Sequence, residues 1–172
     1  MTESSFSILL LIVPVIIAGC LHMVIVTYNL YSFLAVPIDE KLLGRNKTLR
    51  GFIVVPLLST LVAPVILNLL EEPLHTSLLL GFSTGWGYML GEIPNSFFKR
   101  KIGVPAGVTP TRYRLLFIFF DQADSALGVL AGCSLVINLN FLQVIIIFIS
   151  FIISAILVKN FLYALSLKKT RF

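Results

Sequence analysis

Apolar residues in this chain come in long blocks broken by short polar stretches, rather than in amphipathic stripes. Five blocks stand out, at residues 7–34, 52–70, 76–93, 115–137 and 141–158. A helix needs roughly 18 or more apolar residues to cross ~30 Å of hydrocarbon. Each block therefore predicts a transmembrane helix. The expected fold class is an all-α integral membrane protein with about five transmembrane helices, forming one domain over residues 1–172. Pro37 is expected to end the first helix. Pro56 and Pro64 fall inside the second, where neighbouring helices can satisfy the freed carbonyls. The first block follows a single early charge, Glu3, and is too long for a signal-peptide core, so it reads as a retained membrane helix.

Composition supports that reading. The chain is 58% hydrophobic and 12% charged, whereas a soluble domain carries about 25% charged residues. Cys20 and Cys133 lie inside apolar blocks, where cysteine behaves as a small hydrophobe. Neither has metal-binding spacing.

A net charge of +5 would ordinarily raise nucleic acid as a partner. The placement of the basic residues argues for no nucleic acid. All 13 Lys and Arg fall in residues 37–51, in 95–114 or in the tail from Lys159 onward. Five spans put those three segments on one side. The positive-inside rule then predicts an outer N-terminus and a cytoplasmic C-terminus. The expectation is a multi-pass protein of the cell membrane whose active site faces the cytoplasm. The third block carries Gly81/Gly85 and Gly87/Gly91, spacings that predict close helix packing.

The chemistry-bearing residues cluster near the basic segments. Asp121, Gln122 and Asp124 lie inside the fourth block. Counting from Arg114, Asp121 is roughly 10 Å along a helix and Asp124 roughly 15 Å. An acid near the bilayer centre costs ~2.5–3.5 kcal/mol on insertion scales and is functional by default. Spacing i, i+3 puts both carboxylates on one face, where a cation would relieve their repulsion. Mg²⁺ takes carboxylate oxygens and shares them with substrate phosphates. An intramembrane salt bridge, a protonated carboxyl or an ion path would use the same pair.

Two basic stretches accompany the acids. Gly44 to Gly51 packs Asn46, Lys47, Thr48 and Arg50 at a membrane boundary. Lys offers phosphate a point charge, and Arg a planar fork. Gly91 to Gly107 carries Glu92, Asn95, Ser96, Lys99 and Arg100. Either stretch could instead be a topology anchor. His22 and His75 are isolated and read as structural or interfacial. The chain has no phosphate-binding P-loop, nucleophile elbow or HExxH. Acid pairs beside basic clusters at a lipid boundary suit chemistry between a nucleoside triphosphate and a lipid headgroup.

The ordered motifs Asn46-Lys47-Thr48-Leu49-Arg50-Gly51, Gly91-Glu92 with Ser96-Phe97-Phe98-Lys99-Arg100, and Asp121-Gln122-Ala123-Asp124 resemble the CDP-archaeol synthase family. The tail, with Asn160, Tyr163, Leu167 and Lys168, is similar as well. That family is related to the phosphatidate cytidylyltransferases. The resemblance implies a CTP-dependent nucleotidyltransferase with five transmembrane helices. It would move CMP from CTP to a glycerol-ether or related lipid phosphate, release pyrophosphate and need Mg²⁺. By the same resemblance, Asp121 and Asp124 would hold the metal. Those two, with Lys99 and Arg100, would be catalytic. Asn46, Lys47, Thr48, Arg50, Glu92, Ser96 and Gln122 would bind substrate. Expected partners are CTP, the lipid phosphate, membrane lipids and, as an option, a second copy in a homodimer. This chain departs from the family at Glu92, Leu49, Asn95 and Lys159. A coupled transporter using the aspartates as a relay, or a non-catalytic lipid-binding subunit, are the alternatives.

Overall fold

A computed structural model of the chain describes residues 5–108, 110, 112–165 and 167. The described residues fold into helices α1 (Ser5–Leu10), α2 (Val13–Thr27), α3 (Leu49–Leu67), α4 (Leu74–Lys101), α5 (Arg114–Ser134) and α6 (Phe141–Ala164). Four runs are long and apolar enough to cross a membrane: Ser7–Thr27, Leu49–Leu70, Arg114–Ser134 and Phe141–Ala164. The molecule is therefore an all-α, multi-pass membrane protein.

The third expected span corresponds to α4, which differs from the other four. It has 28 residues, about 42 Å at ~1.5 Å per residue. Its glycines, hydroxyl side chains and charged last turn dilute its apolarity. Instead of meeting lipid all round, it lies between α3 and α5. A Cβ on Gly81 would stand 2.5 Å from the Ser59 carbonyl of α3, and one on Gly91 2.5 Å from the Asp124 carbonyl of α5. At the closest point a Cβ on Gly128 would meet the Gly87 carbonyl at 2.0 Å. The small-residue spacings thus set two backbone-to-backbone contacts.

Two boundaries differ from the sequence expectation. The first span was expected to run to residue 34, but it stops at Thr27. Asn29 and Tyr31 take positive φ, at 51° and 52°, and turn the chain out of the helix before Pro37. The start of that span also tightens, with Leu11 N donating to Ile8 O at 3.2 Å. Pro14 lacks the N–H that would bond Leu10, so the local turn closes i to i−3. The third span was expected to end at residue 93 in a basic loop. It runs through Pro94 to Lys101, so Asn95, Ser96, Lys99 and Arg100 sit on helical turns with a defined face.

The main apolar core joins all six helices through residues such as Ile8, Val15, Leu67, Leu80, Val129 and Phe151. Every described Lys and Arg lies at one end of the bundle. That end gathers the exit of α2, the start of α3, the end of α4, the start of α5 and the end of α6.

Candidate active site

A cavity of about 390 Å³ opens at the basic end. Its size is within the ~300–1,000 Å³ typical of ligand sites. It is built from the loop before α3, the last turns of α4, the first turns of α5 and the end of α6. Asn46 and Lys47 come from the loop; Glu92, Asn95, Ser96, Lys99 and Arg100 come from α4. Asp121 and Asp124 come from α5, and Lys159 from α6.

Helical spacing explains the α4 wall. Glu92, Asn95, Ser96 and Lys99 are three, four and seven apart, so they share one face. The same rule aligns Asp121 and Asp124 on α5. The Gly87–Gly128 and Gly91–Asp124 contacts then bring the two faces edge to edge. On the loop side, Gly44 takes φ +87°, and a Cβ there would stand 2.9 Å from that of Ala106. Only glycine fits a left-handed turn at that separation. It lets the two loops close over Arg100.

Charges in the cavity are paired across elements. Lys47 Nζ donates to Glu92 Oε2, tying the loop to α4. Lys99 Nζ donates to Asp121 Oδ1, tying α4 to α5. Asn95 Nδ2 donates to the same Asp121 oxygen at 2.6 Å. Ser125 Oγ donates to Asp124 Oδ1 at 3.0 Å and lies 3.3 Å from Glu92 Oε1, bridging the two acids. Lys159 Nζ donates to the Gln122 amide oxygen at 2.8 Å. The Nε and Nη1 atoms of Arg100 are buried and have no protein partner among the described residues. A buried guanidinium with unused donors is costly unless an anion completes it.

The structure brings together eight of the residues the sequence nominated: Asn46, Lys47, Glu92, Ser96, Lys99, Arg100, Asp121 and Asp124. Three others do not line the cavity. Thr48 caps the start of α3 without a side-chain hydrogen bond. Gln122 is buried behind the wall and holds Lys159. Arg50 points to the α2 exit turn, where Nη1 donates to Leu30 O at 3.1 Å and to Asn29 Oδ1 at 3.4 Å. Its place in this structure is that of a pin holding the chain where α2 ends. Arg50→Met is expected to lower stability by about 1–2 kcal/mol, read as a drop in melting temperature in detergent. Unchanged melting would return Arg50 to the ligand-binding residues.

Two contributors to the cavity had no signal in the sequence, and one histidine stands close behind it. Lys159 was counted as a tail charge, yet it lies on α6 and lines the cavity. Ser125 carries no motif signal beyond its place after Asp124. His22 looked isolated, but its ring packs near Gly51, and Nε2 is buried without a partner among the described residues. Of the tail motif, Asn160 and Tyr163 lie on the last turns of α6, Leu167 follows it, and Lys168 lies outside the described residues.

No group of three His, Cys, Asp or Glu comes close enough to cage a metal among the described residues. Two carboxylates with an adjacent amide still suit a hard cation that keeps waters and shares phosphate oxygens. Mg²⁺ is usually bound that way, through one or two carboxylates.

No protein-family model matches the chain. No solved structure matches it either. Three curated relatives do, all named CDP-archaeol synthase. The protein from Sulfolobus acidocaldarius is 28% identical over 130 residues, covering 75% of this chain and 74% of its own length. The Thermococcus kodakarensis protein is 37% identical over 71 residues, 40% of this chain. The Thermococcus gammatolerans protein is 35% identical over 73 residues. In both Thermococcus proteins the matching stretch spans 42% of the relative's length. The chain is thus similar to proteins named CDP-archaeol synthase, and it spans less than half the length of the two Thermococcus proteins in the matched stretch.

Proposed function

We propose that this protein transfers CMP from CTP to a lipid phosphate at the basic end of the bundle, forming a CDP-lipid and releasing pyrophosphate. The observation that carries the reading is the Arg100 guanidinium, whose Nε and Nη1 are buried at a cavity of mixed charge with no hydrogen-bond partner among the described residues. The names of the relatives point to the same reaction class.

In that reaction an acceptor phosphate oxygen attacks the α-phosphorus of CTP. The new P–O bond forms as the bond from α-phosphorus to the bridging oxygen breaks. Pyrophosphate leaves with that electron pair. The acceptor is already an anion, so no general base is needed. Catalysis then rests on positioning and charge stabilisation. Arg100 offers a fork to the triphosphate. Lys47 and Lys99 are held by Glu92 and Asp121 before substrate arrives, so they need little reorganisation to turn to phosphate. Asp121 and Asp124 would hold Mg²⁺, which when bound neutralises triphosphate charge and fixes its geometry. Asn46 and Ser96 add polar contacts at the cavity rim. The positive-inside rule predicts a cytoplasmic location for this end, where CTP would reach the cavity directly.

The test is a label-transfer assay. Purified protein in detergent receives CTP labelled in the α-phosphate, Mg²⁺ and, separately, an archaeol-type ether phosphate, phosphatidic acid or an isoprenyl monophosphate. Label is expected to enter the lipid phase with at least one acceptor, and chelating the metal should stop it. Folded protein that neither binds CTP nor labels any lipid would overturn the proposal.

A further inference from the structure

Two cations in the cavity make no salt bridge among the described residues, and they face different surroundings. Lys47 and Lys99 are ion-paired. Arg100 is one of the unpaired two, and it also borders a recess of the water-side loops with Lys41 and Arg45. Lys159 is the other. Its ammonium is bonded to a neutral amide, that of Gln122. Lys159 lies near the end of α6, where the charges of Glu92, Asp121 and Asp124 bear on it from α4 and α5, while its α2 side carries no acid among the described residues.

Lys159 also sits at a boundary. It lines the polar cavity and, with Met23, a second recess of about 110 Å³ between α2, α4 and α6. That second recess is apolar, walled by Gly19, Cys20, Ala155 and Leu162 among others. A Cβ built on Gly19 meets nothing within 4 Å, so the recess is open at that wall. The α6 side is lightly anchored, with only Ile147, Phe151 and Leu162 buried along the helix.

Two larger apolar grooves, of about 660 and 840 Å³, run along α4 and α5. Both reach the polar cavity at Asp124. A lipid phosphate entering there would meet the Asp124 carboxylate, with the Asn95 amide beside it in the larger groove. Entering between α2 and α6, it would meet an ammonium. Like charges repel and opposite charges attract most strongly where water is scarce.

We infer that the acceptor lipid is seated between α2 and α6, with its phosphate on Lys159 and its chain passing Gly19, while the nucleotide occupies the Arg100 side. This rests on the proposed CMP transfer and adds the place and orientation of the acceptor. The two anions approach from opposite sides, and the carboxylates of Asp121 and Asp124 lie between them.

The test uses the full chain in nanodiscs. A lipid phosphate with a diazirine in its chain is photolysed on the protein, and adducts are mapped by mass spectrometry. A neutral diacylglycerol with the same diazirine is the control for bulk lipid. Adducts specific to the phosphate are expected at residues 19, 20, 155 and 162 and are lost in Lys159→Met. In the transfer assay, Lys159→Met should raise KM for the lipid about 10-fold or more, leave KM for CTP within about 2-fold, and be partly rescued by Lys159→Arg. Gly19→Phe should raise the lipid KM in the same way, whereas Leu127→Trp, in the α4–α5 grooves, should not. Phosphate-specific adducts along α5, adducts at neither place, or unchanged lipid KM in both Lys159→Met and Gly19→Phe would overturn this seat. Wild-type CMP transfer would then leave the proposed reaction standing. Adducts at the α2–α6 recess without any CMP transfer would sink the reaction and keep the lipid seat.

Discussion

Asp124→Asn is expected to abolish CMP transfer while leaving the protein folded. The substitution keeps the shape of the side chain and removes its charge. Asp124 makes no ion pair among the described residues; its oxygen accepts from Ser125, and an amide oxygen can accept the same bond. Folding therefore loses little. The loss falls on the metal and the transferring phosphate, where one missing group costs roughly 10²–10³-fold in rate. Asp121→Asn should behave differently. Its carboxylate holds Lys99 and accepts from Asn95. Removing that charge leaves Lys99 unpaired and only slightly exposed, a cost of about 1–3 kcal/mol. The pair of variants is read by label transfer at saturating Mg²⁺ and by thermal unfolding in detergent. Asp121→Asn should lose both activity and melting temperature, Asp124→Asn activity alone. Full activity in Asp124→Asn would remove that residue from the metal site.

Gly128→Leu is expected to break the site from the other direction, by parting α4 and α5. A Cβ at this position would stand 2.0 Å from the Gly87 carbonyl oxygen and 3.0 Å from the Gly91 Cα. Both obstacles are backbone, so no side chain can rotate away to make room. Overpacking in a core commonly costs about 1–3 kcal/mol, and here the upper end is expected. Glu92, Asn95 and Lys99 ride on α4, Asp121 and Asp124 on α5, so parting the helices pulls the cavity walls apart. The yield of folded protein should fall sharply, and the fraction that folds should not bind CTP. Leu127→Ala, on the neighbouring exposed position, serves as the control and should fold normally. A Gly128→Leu protein with wild-type melting and CTP binding would show that this contact does not set the site.

The membrane character of the fold was legible because it is a one-dimensional property. Four of the five apolar blocks need only a count of consecutive apolar residues to be recognised. The confinement of basic residues to one end followed from their order along the chain in the same way. The two aspartates of the candidate site were legible too, since Asp121 and Asp124 stand where polar residues are expensive, and they line the cavity. Helix ends were less legible. Asn29 and Tyr31 stop α2 through backbone angles that composition does not encode, and α4 runs through Pro94 because neighbouring helices support it.

Sequence by itself determined an all-helical membrane bundle, one basic end, and acids in α5 that require partners. The tertiary structure decided which partners they have. It paired Lys99 with Asp121 and Lys47 with Glu92, turned Arg50 away to the α2 exit, and brought Lys159 in from α6. The physical reason is one of range. Crossing lipid is a property of a segment, fixed by its own residues. Charge pairing is a property of contacts between segments, fixed by how closely the glycine faces of α4 and α5 let their backbones approach.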